Sequence, residues 1–293
     1  MTSVPALFSR DGVADQDERR EIARVVARES AETIAAPRTG AAVELLARLL
    51  TPAADRVSRR FLSYDQALGL LGPLAGANWI LEREIGSLEV RDGDRVPQQG
   101  PLLVVANHPG ISDAVALLAA MRRDDTWIVT AEFPFLRALR HARQRFLFVP
   151  DDRDGGRAAL WQVVSRLRAG EAVLLFPAGG IELDPELAPV DASRSIAIWS
   201  RSVGLLARRA PGTRVLPAAV SGAVSRGAFD HPLARRRASL RERQRMAALL
   251  QLALARYQRV RVRVRFGEPI ESGDAVDVQG AVRERMRTLL AVV

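Results

Sequence analysis

The sequence contains no cysteine, no lysine and only three histidines, at positions 108, 141 and 231. Without cysteine, the chain cannot form disulfides or thiolate metal sites. Three histidines leave little room for a histidine-rich metal centre. We therefore expect no metal site and no bound cofactor. A chain without thiols also fits a reducing compartment such as the cytoplasm.

A hydrophobic run long enough to cross a bilayer is lacking as well. The longest nearly uncharged stretch, 67–81, is interrupted by Gly69, Gly72 and Pro73, whereas a transmembrane helix needs roughly 20 apolar residues. Residues 1–17 show no basic patch followed by an apolar core, so no signal peptide is expected. These absences predict a cytoplasmic protein that associates peripherally with the inner face of the membrane.

Arginine supplies all of the basic side chains, and the formal net charge is +9. Such a chain is attracted to polyanions, either nucleic acid or an anionic membrane surface. No nucleic-acid recognition element is present, so we expect a membrane surface and no nucleic acid. The basic segment 234–245 precedes apolar helical residues, which fits a bilayer contact or a solvated helix equally well. The oligomeric state stays open.

From residue 88 onward, short apolar segments alternate with helical patterns. The predicted strands are 88–91, 102–106, 127–131, 146–149, 172–176, 215–220 and 260–266, and the predicted helices are 114–122, 135–143, 157–169 and 194–208. This alternation predicts an α/β fold with a mostly parallel central sheet flanked by helices, over residues 87–293. Residues 1–86 are predicted to be an N-terminal helical segment with a possible membrane-surface contact. The last strand alternates valine with arginine, which predicts a solvated edge strand.

One short stretch carries the chemistry. Asn107 and His108 follow the strand 102–106, a Pro-Gly turn comes next, and Asp113 opens a helix. The turn allows Asp113 to reach the imidazole, fix its tautomer and leave the other ring nitrogen as a general base. The alternative is that Asp113 only caps the helix and His108 is a packed loop residue. Because His108, Arg153 and the loop 177–180 all follow predicted parallel strands, they are expected at one edge of the sheet.

Four stretches, in this order, resemble the motifs of the glycerolipid acyltransferase superfamily, whose best-known members acylate 1-acylglycerol-3-phosphate. They are 107–113, with the Asn-His and Asp pattern, 148–153, 176–180 and 215–220. The resemblance implies that His108 and Asp113 are catalytic and that substrate is bound by Asn107, Arg153, Phe176, Pro177, Gly179, Gly180 and Pro217. It also implies transfer of a fatty acyl group from acyl-CoA or acyl-carrier protein to a hydroxyl of a lysophospholipid or related lipid acceptor.

The third motif departs from the family pattern. Its usual glutamate, threonine and arginine are replaced by Ala178, Gly180 and Ile181, and Glu182 could partly substitute for the missing carboxylate. This predicts that 1-acylglycerol-3-phosphate is a poor or secondary acceptor and that a bulkier or less charged lipid alcohol is preferred. An acceptor such as a glycolipid or an amine remains an alternative. A non-catalytic lipid-binding protein on the same scaffold is a second alternative, against which the intact Asn-His-Asp pattern argues.

Overall fold

A computed structural model of the chain describes residues 16–35, 40–150, 152–273 and 277–292, with all their side chains except those of residues 16–18, 33 and 153. These described residues divide into two compact units, of which the first ends at Tyr64 and the second begins at Asp65. The helices are α1 (Gln16–Ala35), α2 (Ala41–Leu71), α3 (Pro73–Glu84), α4 (Asp113–Met121), α5 (Pro134–Ala138), α6 (Arg153–Arg168), α7 (Pro189–Ser195), α8 (Ser202–Arg209), α9 (Arg226–Phe229), α10 (Pro232–Arg235), α11 (Leu240–Ala253) and α12 (Val278–Leu290). The strands are β1 (Ser87–Arg91), β2 (Leu102–Ala106), β3 (Thr126–Ala131), β4 (Phe146–Val149), β5 (Ala172–Leu175), β6 (Arg214–Ser221), β7 (Arg261–Phe266) and β8 (Ile270–Glu271).

The first unit consists of α1 and most of α2. Apolar residues such as Ile22 on α1 and Val57 on α2 are buried. Asp55 forms ion pairs with two arginines, Arg19 at 3.1 Å and Arg59 at 2.8 Å. Within the described residues, no helix is both long and apolar enough to cross a membrane.

The second unit is built on one eight-stranded sheet with the order β1-β7-β6-β2-β5-β3-β4, and β8 pairs with β6. Five neighbouring strands, from β6 to β4 in this order, run parallel. Strand β7 is antiparallel to β6 and parallel to β1. The predicted α/β fold with a mostly parallel central sheet is confirmed.

Helices cover both faces of this sheet. One face packs against α3 and α4 through residues such as Val104 and Leu117. The other packs against α6, α8 and α12 through residues such as Val105 and Met286. Because β2 is buried on both faces, its sequence is a continuous apolar run rather than an alternating one.

The prediction that the last strand lies at an edge is wrong, because β7 lies between β1 and β6. Its valines are buried, and its arginines bond to carboxylates rather than facing only water. Arg261 bonds to Glu89 at 2.8 Å, and Arg263 bonds to Glu186 at 2.7 Å. The alternation marks a buried face and a charged, paired face, not an edge.

The predicted helix 135–143 is interrupted. Helix α5 ends at Ala138, and a short 3₁₀ turn follows at Ala142–Arg145. The carboxylate of Asp65 accepts the backbone N–H groups of His141 and Ala142, at 3.0 Å and 2.7 Å. These two N–H groups bond to a side chain, so they do not continue the helix.

Candidate active site

The parallel arrangement of β2 and β5 brings the two loops that follow them together. These strands are direct neighbours, so their carboxyl ends lie at the same edge of the sheet. The ring of His108, after β2, stacks on the ring of Phe176, after β5, with 4.5 Å between the centroids. The convergence predicted for these two loops is present.

His108 and Asp113 are joined by a hydrogen bond. The Nδ1 atom of His108 lies 2.7 Å from Oδ2 of Asp113, and this oxygen also accepts the backbone N–H of Gly110 at 3.0 Å. Asp113 is fully buried and is the first residue of α4, where the helix dipole stabilises a negative charge. Because a carboxylate only accepts, Nδ1 carries the proton and Nε2 carries the lone pair.

Two carboxylates make this imidazole more basic. Burial alone would lower the pKa of His108, but the charge and hydrogen bond of Asp113, followed by the charge of Glu182, outweigh that effect. The pKa of His108 is therefore raised above its ordinary value of 6.5. A more basic Nε2 atom is a better proton acceptor.

Asn107 connects the turn to the neighbouring strand β6. Its amide nitrogen donates to the C=O of Val220, and its amide oxygen accepts the N–H of Val220, both at 2.8 Å. The side chain thereby extends the pairing of β2 with β6 by one residue. It holds the backbone just before His108.

Glu182, in the loop after β5, also holds the backbone of His108. Its Oε2 atom accepts the N–H of His108 at 3.0 Å, and Oε1 accepts from Ser195 Oγ and Trp199 Nε1 at 2.6 Å and 2.7 Å. Burial raises the pKa of Glu182 above its ordinary value of 4.5, and these hydrogen bonds and the neighbouring His108 offset only part of that rise.

Further hydrogen bonds support the turn after β2 and the loop after β5. Gln244 of α11 donates to the C=O groups of Pro109 and Glu182, and its oxygen accepts the N–H of Asp184. The buried Asp184 carboxylate accepts the N–H groups of Gly222 and Val224, at 2.9 Å and 3.1 Å. Burial raises the pKa of Asp184 to about 6.

The imidazole faces a cavity of about 580 Å³ that is lined mostly by apolar residues. This volume is within the usual range of about 300–1,000 Å³ for small-molecule sites. Besides His108, it is lined by residues of β3, β4, β5, α6 and α8 and of the loops after β3, β5 and α7: Val129, Thr130, Ala131, Phe133, Val149, Gly156, Ala159, Leu160, Val163, Leu175, Phe176, Pro177, Ala178, Gly179, Gly180, Ile181, Ile198, Ser200, Ser202 and Leu206. No arginine, aspartate or glutamate among the described residues lines it.

The remaining sequence-predicted site residues fall into two groups. Phe176, Pro177, Gly179 and Gly180 line the cavity. Asn107 and Pro217 are buried and are not among the lining residues, and their predicted contact with substrate stays a prediction. Arg153 is the first residue of α6, but its side chain lies outside the described residues.

Three supporting residues were missed from the sequence: Ser195, Trp199 and Gln244. Their contacts with the site span 13 to 135 residues of chain, which no local pattern reveals. The available signal was Glu182 itself, a charged residue between Ile181 and Leu183 in an apolar stretch. A buried carboxylate needs several hydrogen-bond donors around it.

Residues 87–221, from the start of β1 to the end of β6, match the family model described as Acyltransferase. This segment is an acyltransferase domain. The family predicted from the four motifs is thus confirmed. Among solved structures, this chain is similar to the 1-acyl-sn-glycerophosphate (LPA) acyltransferase PlsC from Thermotoga maritima, with a TM-score of 0.48 and 13% identity over 93% of this chain and 96% of that chain. No curated protein sequence matches it.

Proposed function

We propose that this acyltransferase moves a fatty acyl group from an acyl thioester, acyl-CoA or acyl-carrier protein, to a hydroxyl of a lysophospholipid or related lipid. The observation that carries the proposal is the bond between His108 and Asp113 at the edge of an apolar cavity. A positioned base supplies proton transfer, and the apolar walls suit a fatty chain.

In this mechanism, Nε2 of His108 takes the proton of the acceptor hydroxyl. The oxygen of that hydroxyl attacks the carbonyl carbon of the thioester. Asp113 stabilises the imidazolium that forms. The tetrahedral intermediate collapses, the carbon–sulfur bond breaks, and the imidazolium returns the proton to the thiolate. The products are an ester and a free thiol.

The oxyanion of the intermediate needs backbone N–H donors. The N–H of Gly179 is bonded to the C=O of Phe176 at 3.1 Å. The N–H of Gly180 makes no hydrogen bond to the described part of the chain. We assign Gly180 as the candidate oxyanion donor, because it lines the same cavity as His108.

The walls of the cavity favour an acceptor that differs from 1-acylglycerol-3-phosphate. Ala178, Gly180 and Ile181, which replace the charged and polar residues of the family motif, all line it. A phosphate monoester would meet no cation from these positions. A lipid alcohol with less charge is the favoured acceptor, and a glycolipid or an amine is the second candidate for the same reason.

We also propose that the protein works in the cytoplasm, peripherally on an anionic membrane surface. Phe133 and Ile198 line the cavity and are 51% and 67% exposed, so apolar groups lie at its opening. Exposed arginines of α10 and α11, including Arg235 and Arg241, offer positive charge. Flotation with anionic vesicles tests this: binding should weaken in high salt, and extraction only by detergent would contradict it.

Release of the thiol tests the reaction itself. A thiol reagent follows it without background, since the protein has no cysteine. We expect His108→Ala to abolish release and to leave the fold intact. His141→Ala, which changes a histidine away from the cavity, serves as the matched control and should remain active. Unchanged turnover in His108→Ala would refute the role of the base.

A further inference from the structure

Glu182 is buried beside the active-site turn but does not line the cavity. Only 2% of it is exposed, and it is absent from the described residues that line the cavity. We therefore do not expect Glu182 to contact a substrate in this cavity. Any effect on transfer must pass through the residues that it contacts.

Glu182 makes two hydrogen bonds with His108. The carboxylate accepts the N–H of His108 at 3.0 Å, and the N–H of Glu182 donates to the C=O of His108 at 2.7 Å. The two residues thus exchange a pair of hydrogen bonds, which fixes the backbone that carries the imidazole. Ser195 and Trp199 fix the other oxygen of the carboxylate, so the carboxylate cannot turn away.

Charge adds to this geometry. Asp113 bonds to the ring of His108, and Glu182 bonds to its backbone, so two buried carboxylates flank one imidazole. When the imidazole takes a proton, both negative charges stabilise the resulting cation. In a buried site, this interaction is weakened little by water.

We propose that Glu182 is a positioning residue for the transfer reaction, which fixes the backbone of His108 and supplies the second negative charge beside its imidazolium. The proposal rests on the proposed function of His108 as the base. The family motif has its glutamate at the position of Ala178. The proposal assigns a role to a different carboxylate, which lies four residues further along the chain.

The test is Glu182→Gln, which keeps the size of the side chain and removes its charge. Two properties of this variant are compared with those of the parent protein: the pH dependence of kcat/KM, and the titration of the His108 ring by NMR. The chain has three histidines, so the loss of one signal in His108→Ala assigns it. We expect the His108 midpoint and the acid limb of kcat/KM to move to lower pH by roughly 1 unit. We expect kcat/KM at its optimum to fall about 10-fold to 100-fold.

Asp184→Asn is the matched control. This carboxylate is buried in the same loop but bonds to the backbone of Gly222 and Val224, not to His108. Its loss should lower the thermal midpoint and leave the titration of His108 in place. An equal shift in both variants would mean that any disturbance of the loop moves the His108 midpoint, and would overturn the proposal.

An unchanged His108 midpoint in folded Glu182→Gln also overturns it. If that variant does not fold, Trp199→Phe keeps the charge and removes one donor to the carboxylate. It should then lower kcat several-fold with the acid limb in place, and an unchanged kcat would refute the positioning role. If the parent protein transfers no acyl group, the proposed function fails, while the NMR titration still decides on Glu182.

Discussion

In the turn after β2, Asn107, His108 and Asp113 each bond to a neighbour at 2.7 to 3.0 Å. The cavity beside this turn has walls of aliphatic side chains, aromatic rings and glycines, with only a few hydroxyl groups. The first region depends on exact partners, whereas the second depends on volume and shape. The two regions meet at His108.

This difference predicts different responses to substitution. Losing one partner in the turn leaves a buried donor or acceptor unpaired, which costs about 1–3 kcal/mol and disturbs its neighbours. Changing one wall of the cavity breaks no hydrogen bond. Variants of the turn should therefore lose rate with every substrate, and variants of the cavity should change which substrate is used.

The largest effect is expected in the turn, for Asp113→Asn. One oxygen of Asp113 accepts from the His108 ring and from the Gly110 N–H, and the other accepts the N–H of Ala114 at 2.6 Å. An amide has only one acceptor oxygen, so it cannot serve all of these donors. We expect kcat to fall about 10²–10⁴-fold, the usual loss for a misplaced base. Asp191→Asn, which changes a partly exposed carboxylate of α7, should keep the parent rate in the same thiol-release assay.

Much of the turn could be predicted from local sequence, because its partners are close in the chain. His108 and Asp113 are five residues apart, and a Pro-Gly pair is what lets them meet. The strands were also predictable, since apolar runs between turn residues report burial directly. The resemblance to a known family added the expected roles of the residues in these loops.

What could not be predicted depends on distant partners. The valine–arginine alternation of β7 reports two different faces, but not that Glu89 and Glu186 supply partners for the arginines. The break in the helix 135–143 depends on Asp65, more than 70 residues earlier in the chain. The bond between Glu182 and His108 has the same origin, because it spans 74 residues.

The second largest effect is expected in the cavity, for Ile181→Arg. In the parent protein, a neutral monoacylglycerol should be preferred to 1-acylglycerol-3-phosphate when both compete for one donor. A new arginine at this lining position would give the phosphate a charge-assisted hydrogen bond worth about 1.5–3 kcal/mol. The ratio of products should therefore move about tenfold or more towards the phosphate-bearing acceptor.

Ile181→Met separates size from charge and should leave that ratio unchanged. A parent protein that clearly prefers 1-acylglycerol-3-phosphate would contradict this interpretation of the cavity. Loss of such a preference in Arg153→Ala would then assign the phosphate site to Arg153.

The smallest effect is expected for Gly156→Leu, which narrows the cavity from α6. Gly156 lines the cavity, and a Cβ atom there would meet nothing within 4 Å. The new side chain should occupy space that an acyl chain would fill, at a loss of about 0.8 kcal/mol, or about fourfold in rate, for each methylene group excluded. Rates with long acyl donors should fall relative to short ones.

The same substitution distinguishes an effect on the cavity from an effect on the catalytic turn. Gly156 is in a helix, so leucine there should raise the free energy of unfolding by up to about 1 kcal/mol rather than lower it. Gly156→Ala is the matched control, since it gains the helical preference and fills little space. A variant that stays stable, keeps its rate with short donors and loses long ones identifies the cavity as the acyl site. An equal loss with all chain lengths would instead mean that α6 acts on the turn.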